Sequence, residues 1–359
     1  MNVYRVAVVG ASGYTGIELV RYLLGHPGFD LVAAVSDTHA GQKMSELYPT
    51  MIGRTNMVFS SMSQLAALKD LDLAFLAVPH TAALALAPDL LSRGVNVIDL
   101  SADFRLNDAQ VYEQWYQHRH TAPELLSEAI YGLPELNRCK LLDAHQQQLY
   151  TRQPMLVASP GCYPTASALA CAPALAAGVL DSNQPIIVNA ISGASGMGRK
   201  ATEASLFMTV NENLTAYGVA THRHTPEIEQ VFSQEAGYPV TVQFTPHLAP
   251  LTRGMVSTAT MFALPGVTQV VIDAVYATAY ADEPFVQLLS GGQMPRSDSV
   301  MGTNQAQVGV VMDTRTGLLI ASCAIDNLGK GASAQALQSA NVIFDFPETL
   351  GLEPTSGVV

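Results

Sequence analysis

The run YRVAVVGASGYTGIELVRYLLGHP, residues 4–27, decides the fold. Its first part, YRVAVVG, is a short β-branched stretch that ends on Gly10. ASGYTG follows, and then IELVRYLL carries apolar residues at helical spacing until Gly25 and Pro27 stop it. A strand that turns tightly into a helix brings backbone close to a ligand. The helix N-terminus then offers free N–H groups to a phosphate. Gly10, Gly13 and Gly16 stand in a GxxGxxG spacing, looser than the usual GxGxxG. A plain glycine-rich turn would satisfy the same letters. The strand before and the helix after favour a dinucleotide site. The acidic residue expected about 20 positions further on is Asp37, in VSDTH.

Working outward, FDLVAAV (29–35), LDLAFLAVP (71–79) and VNVIDLS (95–101) read as further strands, with the helix TAALALAPDLLSRG before the last. Strand and helix in alternation mean a parallel sheet with helices on its faces. Beyond residue 151 the pattern changes. PIIVNAIS, VTVQFTPHL, GMVSTATMFAL and AQVGVVMDTRTGLLIASCAID are longer strands, the last folding near Thr316-Gly317. A helix at roughly 267–281 interrupts them, and a final helix is expected over about 331–344. A mixed or antiparallel second sheet is predicted.

A chain of 359 residues, 48% hydrophobic, is too long for one ordinary core, so two domains are expected. No stretch stays apolar long enough to span a bilayer. The N-terminus lacks a basic region and a cleavage site, so a cytoplasmic protein is expected. A net charge of −12 argues against a nucleic-acid surface. The four cysteines, Cys139, Cys162, Cys171 and Cys323, are scattered without a CxxC pair. Neither a disulfide framework nor a metal site is expected.

One cysteine is oddly placed. In VASPGCYPTASALA, residues 157–170, MLVASPG reads as a strand with its exit turn and CYPTASALACA as the first turns of a helix. Pro164 is tolerable there because it falls in the first turn; Pro173 should end or kink the helix. Cys162 then lies at a helix N-terminus, where the dipole and unpaired N–H groups favour thiolate. A nucleophile and a buried structural cysteine both remain open, the latter assigned to Cys171 and Cys323. A thiolate also needs a proton handler. THRHTPEIEQVF, 221–232, places His222 and His224 before a helix starting near Thr225-Pro226. Acid–base work and a solvated loop position both suit them. No third ligand lies near enough for a metal.

Together these segments resemble a family. GASGYTG, AVPH (77–80), DLSADFRL (99–106), YGLPELN (131–137), SPGCYPT (159–165), SGASGMGRK (192–200), HRHTPEIEQ (222–230) and NLGKGASAQA (327–336) are similar to the N-acetyl-γ-glutamyl-phosphate reductases. These sit in a wider group with aspartate-semialdehyde dehydrogenase. The resemblance runs nearly end to end. It implies an α/β protein: a Rossmann-type parallel-sheet domain over 1–158 with 328–359, and an α+β catalytic and dimerisation domain of the semialdehyde dehydrogenase type over 159–327. It implies NADPH-dependent reduction of an acyl phosphate through a cysteine thioester, in arginine biosynthesis, by a homodimer or homotetramer. Cys162 then matches the nucleophile and His224 the acid/base. The cofactor would meet Gly10, Ser12, Gly13, Tyr14, Thr15, Gly16, Ser36, Pro79, Asn327 and Gly331. Arg105, Ser192, Gly193 and His222 match substrate segments. On the residues alone, Arg105 fits a structural salt bridge with Asp103 as well as a phosphate clamp. One position departs from the family: Asp37 stands where many relatives carry a basic residue for a 2′-phosphate, which weighs against NADP and for NAD. The whole-chain match favours NADP, with Ser36, Thr38 and Lys43 close enough in sequence to serve. Reduction of another acyl phosphate, aspartyl or aminoadipyl, and a non-catalytic dinucleotide sensor are the rival readings.

Overall fold

The computed structural model describes residues 2–352. They fall into two compact units. One runs from the N-terminus through Pro160 and resumes at Ala332; the other is Gly161–Gly331. Residues 328–331 therefore lie in the second unit, and the expectation for 353–359 concerns residues outside those described.

The first unit is built on β1 (Tyr4–Val9), β2 (Phe29–Val35), β3 (Leu73–Leu76), β4 (Asn96–Asp99), β5 (Ile130–Tyr131) and β6 (Leu156–Ala158). They form one sheet in the order β2-β1-β3-β4-β6-β5, every pair parallel. Parallel strands need crossovers, which here include α1 (Tyr14–Leu23), α2 (Met44–Leu47), α3 (Met62–Ala67), α4 (Ala83–Ser92), α5 (Ala109–Tyr116) and α6 (Pro134–Thr151). Helices on both faces leave no solvent side, so β3 and β4 are buried at every residue. The chain goes from β1 to one neighbour and returns to the other side at β3. That reversal opens a crevice at the carboxyl ends of β1 and β3. Gly10 stands there with φ +85°, and a Cβ on it would lie 2.1 Å from the Ala77 carbonyl oxygen. A Cβ on Gly16 would lie 2.2 Å from the Gly10 oxygen. Strand, turn and helix thus pack too closely for any side chain at either position.

The second unit begins with α7 (Cys162–Ala176), followed by β7 (Ile186–Gly193), α8 (Phe207–Val210), β8 (Thr215–Ala216), α9 (Thr225–Ala236), β9 (Val242–Ala249), β10 (Met255–Phe262), α10 (Gln269–Ala279), β11 (Val286–Leu288), β12 (Ala306–Asp313) and β13 (Leu318–Ile325). The sheet order is β11-β12-β13-β10-β7-β9-β8. It is mixed, with β7–β9 and β11–β12 parallel and the other pairs antiparallel. The β12–β13 hairpin turns through 314–317, where Gly317 takes φ +72°. Along β10, buried and half-buried residues alternate, as in a sheet with one face covered. α7 packs on that covered face and is buried from Tyr163 through Leu175.

Of the two outcomes expected at Pro173, an end or a kink, the first does not occur: α7 continues to Ala176. A proline there cannot donate to the carbonyl four residues back, Leu169. That oxygen instead accepts the Tyr280 hydroxyl, just beyond α10, and the neighbouring Ala170 oxygen accepts the Tyr276 hydroxyl at 2.6 Å. The missing backbone donor is replaced from outside the helix.

The last helix, α11 (Ala334–Ile343), belongs to the first unit and is buried at every residue. It packs on α6 and α1. Ser339 Oγ donates to the Gly132 oxygen at 3.2 Å, and the Asn341 side chain meets His26 Nε2 at 3.0 Å. Phe344 and Phe346, just after the helix, pack tilted or edge-on against Tyr4 and Phe29.

Candidate active site

In the first unit, two helices rise from the crevice, and their N-termini differ. α4 is capped. Asp103, fully buried, accepts the Thr81 N–H at 2.8 Å and the Ala83 N–H at 3.0 Å, and also the Tyr112 hydroxyl at 2.8 Å. α1 has Gly13 at its N-cap and no side-chain cap. Its first N–H groups are the ones left for an anion. A Cβ on Gly13 would meet only the Gly10 oxygen, at 3.5 Å, so this glycine has open space above it. Tyr14 and Thr15 open the helix, and the Thr15 oxygen accepts Ser333 Oγ at 2.8 Å. Pro79 lies between β3 and α4, its oxygen accepting the Ala82 N–H.

Beside the glycine turn lies a chain of hydroxyls. Ser12 Oγ is 2.8 Å from Ser36 Oγ, which is 3.2 Å from Thr38 Oγ1; the Tyr48 hydroxyl donates to the Ser12 oxygen. Asp37 is turned away from this group. Its Oδ1 accepts the Met62 N–H at 2.8 Å, at the start of α3. The acid that weighed against a 2′-phosphate is thus occupied with a helix N-terminus, and the hydroxyls of Ser12, Ser36 and Thr38 lie beside the glycine turn. The donor set fits a phosphorylated dinucleotide.

Arg105, also in this unit, is 6% exposed. Its Nε donates to the Ser159 oxygen and its Nη2 to the Leu100 oxygen, both at 2.8 Å. Two of its five N–H donors therefore fix the guanidinium across the carboxyl ends of β4 and β6. Next to it, burial and the neighbouring Asp103 push the Asp99 carboxyl up to about 7, although Asp99 accepts from both the Ser101 N–H and hydroxyl.

In the second unit, Cys162 is the first residue of α7, with Gly161 as N-cap and no side-chain cap. The thiol is partly exposed, whereas Cys171 and Cys323 are buried. A Cβ on Gly331 would sit 2.8 Å from Cys162 Cβ, so only glycine lets the 326–331 turn lie against the cysteine. Asp326 shapes that turn. It accepts the N–H groups of Leu328 and Gly329 at 2.9 and 3.2 Å and pairs with Arg253 at 2.8 Å. Asn327 accepts the Gly254 N–H and donates to Ser195 Oγ, each at 2.9 Å. The Ser192–Gly193 segment meets the same strand end: Gly193 N–H donates to the Gly254 oxygen at 2.9 Å. A Cβ on Gly193 would stand 2.9 Å from the Leu251 oxygen.

His224 is the N-cap of α9, and its backbone N–H donates to His222 Nδ1 at 3.2 Å. That acceptor role puts the ring proton of His222 on Nε2. The His222 ring is enclosed by aromatic rings, with centroids 5.5 Å from Tyr163, 5.5 Å from Tyr217 and 5.3 Å from Phe244. Burial, helped by the Arg223 charge, lowers its pKa to about 4. The His224 ring lies 4.9 Å from that of His222 and 5.9 Å from that of Tyr163, the residue after Cys162. Tyr163 and Tyr217 share a hydrogen bond of 2.9 Å, and burial pushes Tyr217 up to about 12. The second unit thus gathers Cys162, His222, His224, Asn327 and Gly331. Sequence reasoning missed Tyr217, Arg253 and Asp326 as parts of this cluster. An aspartate followed by a glycine-bearing turn was a signal for Asp326; Tyr217, on an exposed edge, carried none.

Two family models match the chain. One described as semialdehyde dehydrogenase, NAD binding domain, covers residues 5–144; one described as semialdehyde dehydrogenase, dimerisation domain, covers 162–327. Over 351 residues the chain is 46% identical to an N-acetyl-gamma-glutamyl-phosphate reductase of Symbiobacterium thermophilum, with 97% of each chain covered. It is 45% identical to the same-named protein of Pelotomaculum thermopropionicum, again over 97% of each. The chain belongs to the N-acetyl-γ-glutamyl-phosphate reductase family. Solved structures bear out the fold of this reductase family member. Aspartate semialdehyde dehydrogenase II of Vibrio cholerae aligns with a TM-score of 0.71 at 16% identity, covering 96% of this chain and 99% of that one. A Candida albicans aspartate semialdehyde dehydrogenase solved with NADP aligns at 0.69 and 13%, covering 96% and 99%.

Proposed function

We propose that this protein reduces N-acetyl-γ-glutamyl phosphate with NADPH to N-acetylglutamate semialdehyde and phosphate, a step of arginine biosynthesis. The observation that carries the chemistry is the placing of Cys162 on the uncapped first turn of α7, with the paired histidines of the α9 cap joined to it through the Tyr163 ring. Cys162 thiolate attacks the acyl carbonyl, and phosphate leaves, giving a thioester. When bound, NADPH supplies the hydride that reduces this acyl group. Gly10, Ser12, Gly13, Tyr14, Thr15, Gly16, Ser36 and Pro79 in the first unit, with Asn327 and Gly331, are the residues assigned to hold it. His224 holds the proton given to the developing alkoxide oxygen and takes it back as aldehyde and thiolate separate. Backbone N–H groups of the first turn of α7 suit the oxyanion. His222, neutral and with its proton on Nε2, suits a hydrogen-bond donor to the substrate better than an acid/base. That leaves the proton transfers to His224. Ser192, Gly193 and Arg105 are the residues assigned to the substrate, a guanidinium suiting its phosphate.

The same reading places the enzyme in the cytoplasm, as a homodimer or homotetramer. Among the described residues no helix is long and apolar enough to cross a membrane. Exposed Leu206, Phe207, Met208, Leu214 and Val219 cluster in sequence within the part matched by the dimerisation-domain model, a concentration of apolar surface that favours self-association.

The test is the reverse reaction. N-acetylglutamate semialdehyde and NADP⁺ should give NADPH only when phosphate is present. Acyl phosphate without NADPH should release about one phosphate per active site and leave Cys162 acylated by intact mass. Turnover only with aspartyl or aminoadipyl substrates would move the substrate assignment. Binding of NADP⁺ with no turnover at all would make the protein a sensor.

A further inference from the structure

We infer that Glu227 is a positioning residue that locks the backbone of the nucleophile to the helix carrying the acid/base. The inference rests on the assignment of Cys162 as nucleophile. Glu227 is the third residue of α9 and is 1% exposed. A glutamate at this helical position commonly turns back to accept the N–H of the N-cap residue. Here that N–H, of His224, is already given to His222 Nδ1. The Glu227 carboxylate reaches across instead, and Oε1 accepts the Gly161 N–H at 2.9 Å.

Gly161 is the N-cap of α7, directly before Cys162. Its oxygen is held from the helix side, accepting both the Thr165 N–H and the Thr165 hydroxyl at 2.9 Å. Its N–H precedes the helix and has no helical partner to find. With Glu227 in place, Gly161, the residue that leads into Cys162, is held on both sides: by α7 through its oxygen and by α9 through its nitrogen. His222 takes the N–H that Glu227 would otherwise accept, and Glu227 takes the N-cap N–H of the other helix. The two bonds tie the cysteine turn and the His224 cap into one frame. A hydrogen bond from a buried N–H to a side-chain oxygen at this reach is directional, which suits a joint whose loss would let the sulfur swing.

The experiment compares Glu227→Gln, Glu227→Asp and Glu227→Ala. Glutamine keeps an acceptor at the same reach; aspartate keeps the charge but is one methylene short. The readouts are the iodoacetamide alkylation rate of Cys162, kcat and the KM for NADP⁺. Positioning predicts that Glu227→Asp and Glu227→Ala lose about tenfold or more in both alkylation rate and kcat with the KM for NADP⁺ unchanged, and that Glu227→Gln stays within about threefold of wild type. Glu227→Asp and Glu227→Ala proteins that alkylate at the wild-type rate, with only a lowered melting point, would overturn the inference. So would a Glu227→Gln as slow as Glu227→Ala, since charge rather than the hydrogen bond would then be the agent. Should Glu227→Ala fail to fold, the Gln and Asp pair decides alone. Alkylation needs neither substrate nor cofactor. Wild type without phosphate-dependent turnover would therefore sink the reaction assignment while leaving the ranking of these variants readable.

Discussion

Two histidines two residues apart are made chemically different by what surrounds each ring. His222 sits among Tyr163, Tyr217 and Phe244 and is held near 4, while an unfolded histidine titrates near 6.5. As pH falls below about 6.5 the unfolded chain takes up this proton first. The stability contributed by a neutral His222 is therefore complete above that pH and is lost as pH falls towards 4. His222→Gln should flatten the fall of the urea midpoint between pH 6.5 and 4; a variant that falls as steeply as wild type would show that this ring is not the group held neutral. Activity should separate the pair in the other direction. His224→Asn should cut kcat by about 10² to 10⁴, the range of general acid–base catalysis, and His222→Asn should mainly raise the KM for the acyl phosphate. The opposite ranking would transfer the proton role to His222.

At the scale of the element, α7 shows how a helix survives an interior proline. Leu169 loses its backbone partner and gains the Tyr280 hydroxyl. Tyr280→Phe should leave that buried carbonyl bare and cost about 1–3 kcal/mol in urea unfolding. Tyr276→Phe should cost less, because the Ala170 oxygen keeps a residue with an N–H four positions on, Ala174. Equal costs would mean that the proline is not what makes Tyr280 matter. The start of α7 was legible in SPGCYPT, since proline and glycine act locally on the backbone. Its continuation was not, because the rescuing hydroxyl is 111 residues away from Leu169. The β1–α1 turn was legible for the same local reason, as was the β12–β13 hairpin. α6 escaped detection because the apolar residues of its 18 are spread around the helix with no single face. β8 has two residues, both exposed, and no pattern to read. In the site, Cys162, His222 and His224 announced themselves by sitting at helix starts. Glu227 carried no such signal, since its partner, Gly161, lies 66 residues away.

At the scale of the whole molecule, the apolar residues of 206–219 are the feature to test. Replacing Phe207 and Met208, 73% and 86% exposed, with aspartate should lower the mass seen by size-exclusion light scattering to that of a smaller assembly or a monomer. An unchanged mass would remove this segment from the subunit contact. The division of the chain has a further consequence, for the order in which the protein is made. A ribosome finishes all of Gly161–Gly331 before the residues of α11 exist. The second unit is continuous and can close as it emerges, whereas the first, begun earlier, waits for its last helix. Until then Tyr4, Phe29, His26 and the Gly132 carbonyl lack the partners that α11 and its following turn provide. The domain translated first is the one completed last, and a chain stalled before Ala332 carries that unfinished surface to the cell's chaperones and proteases.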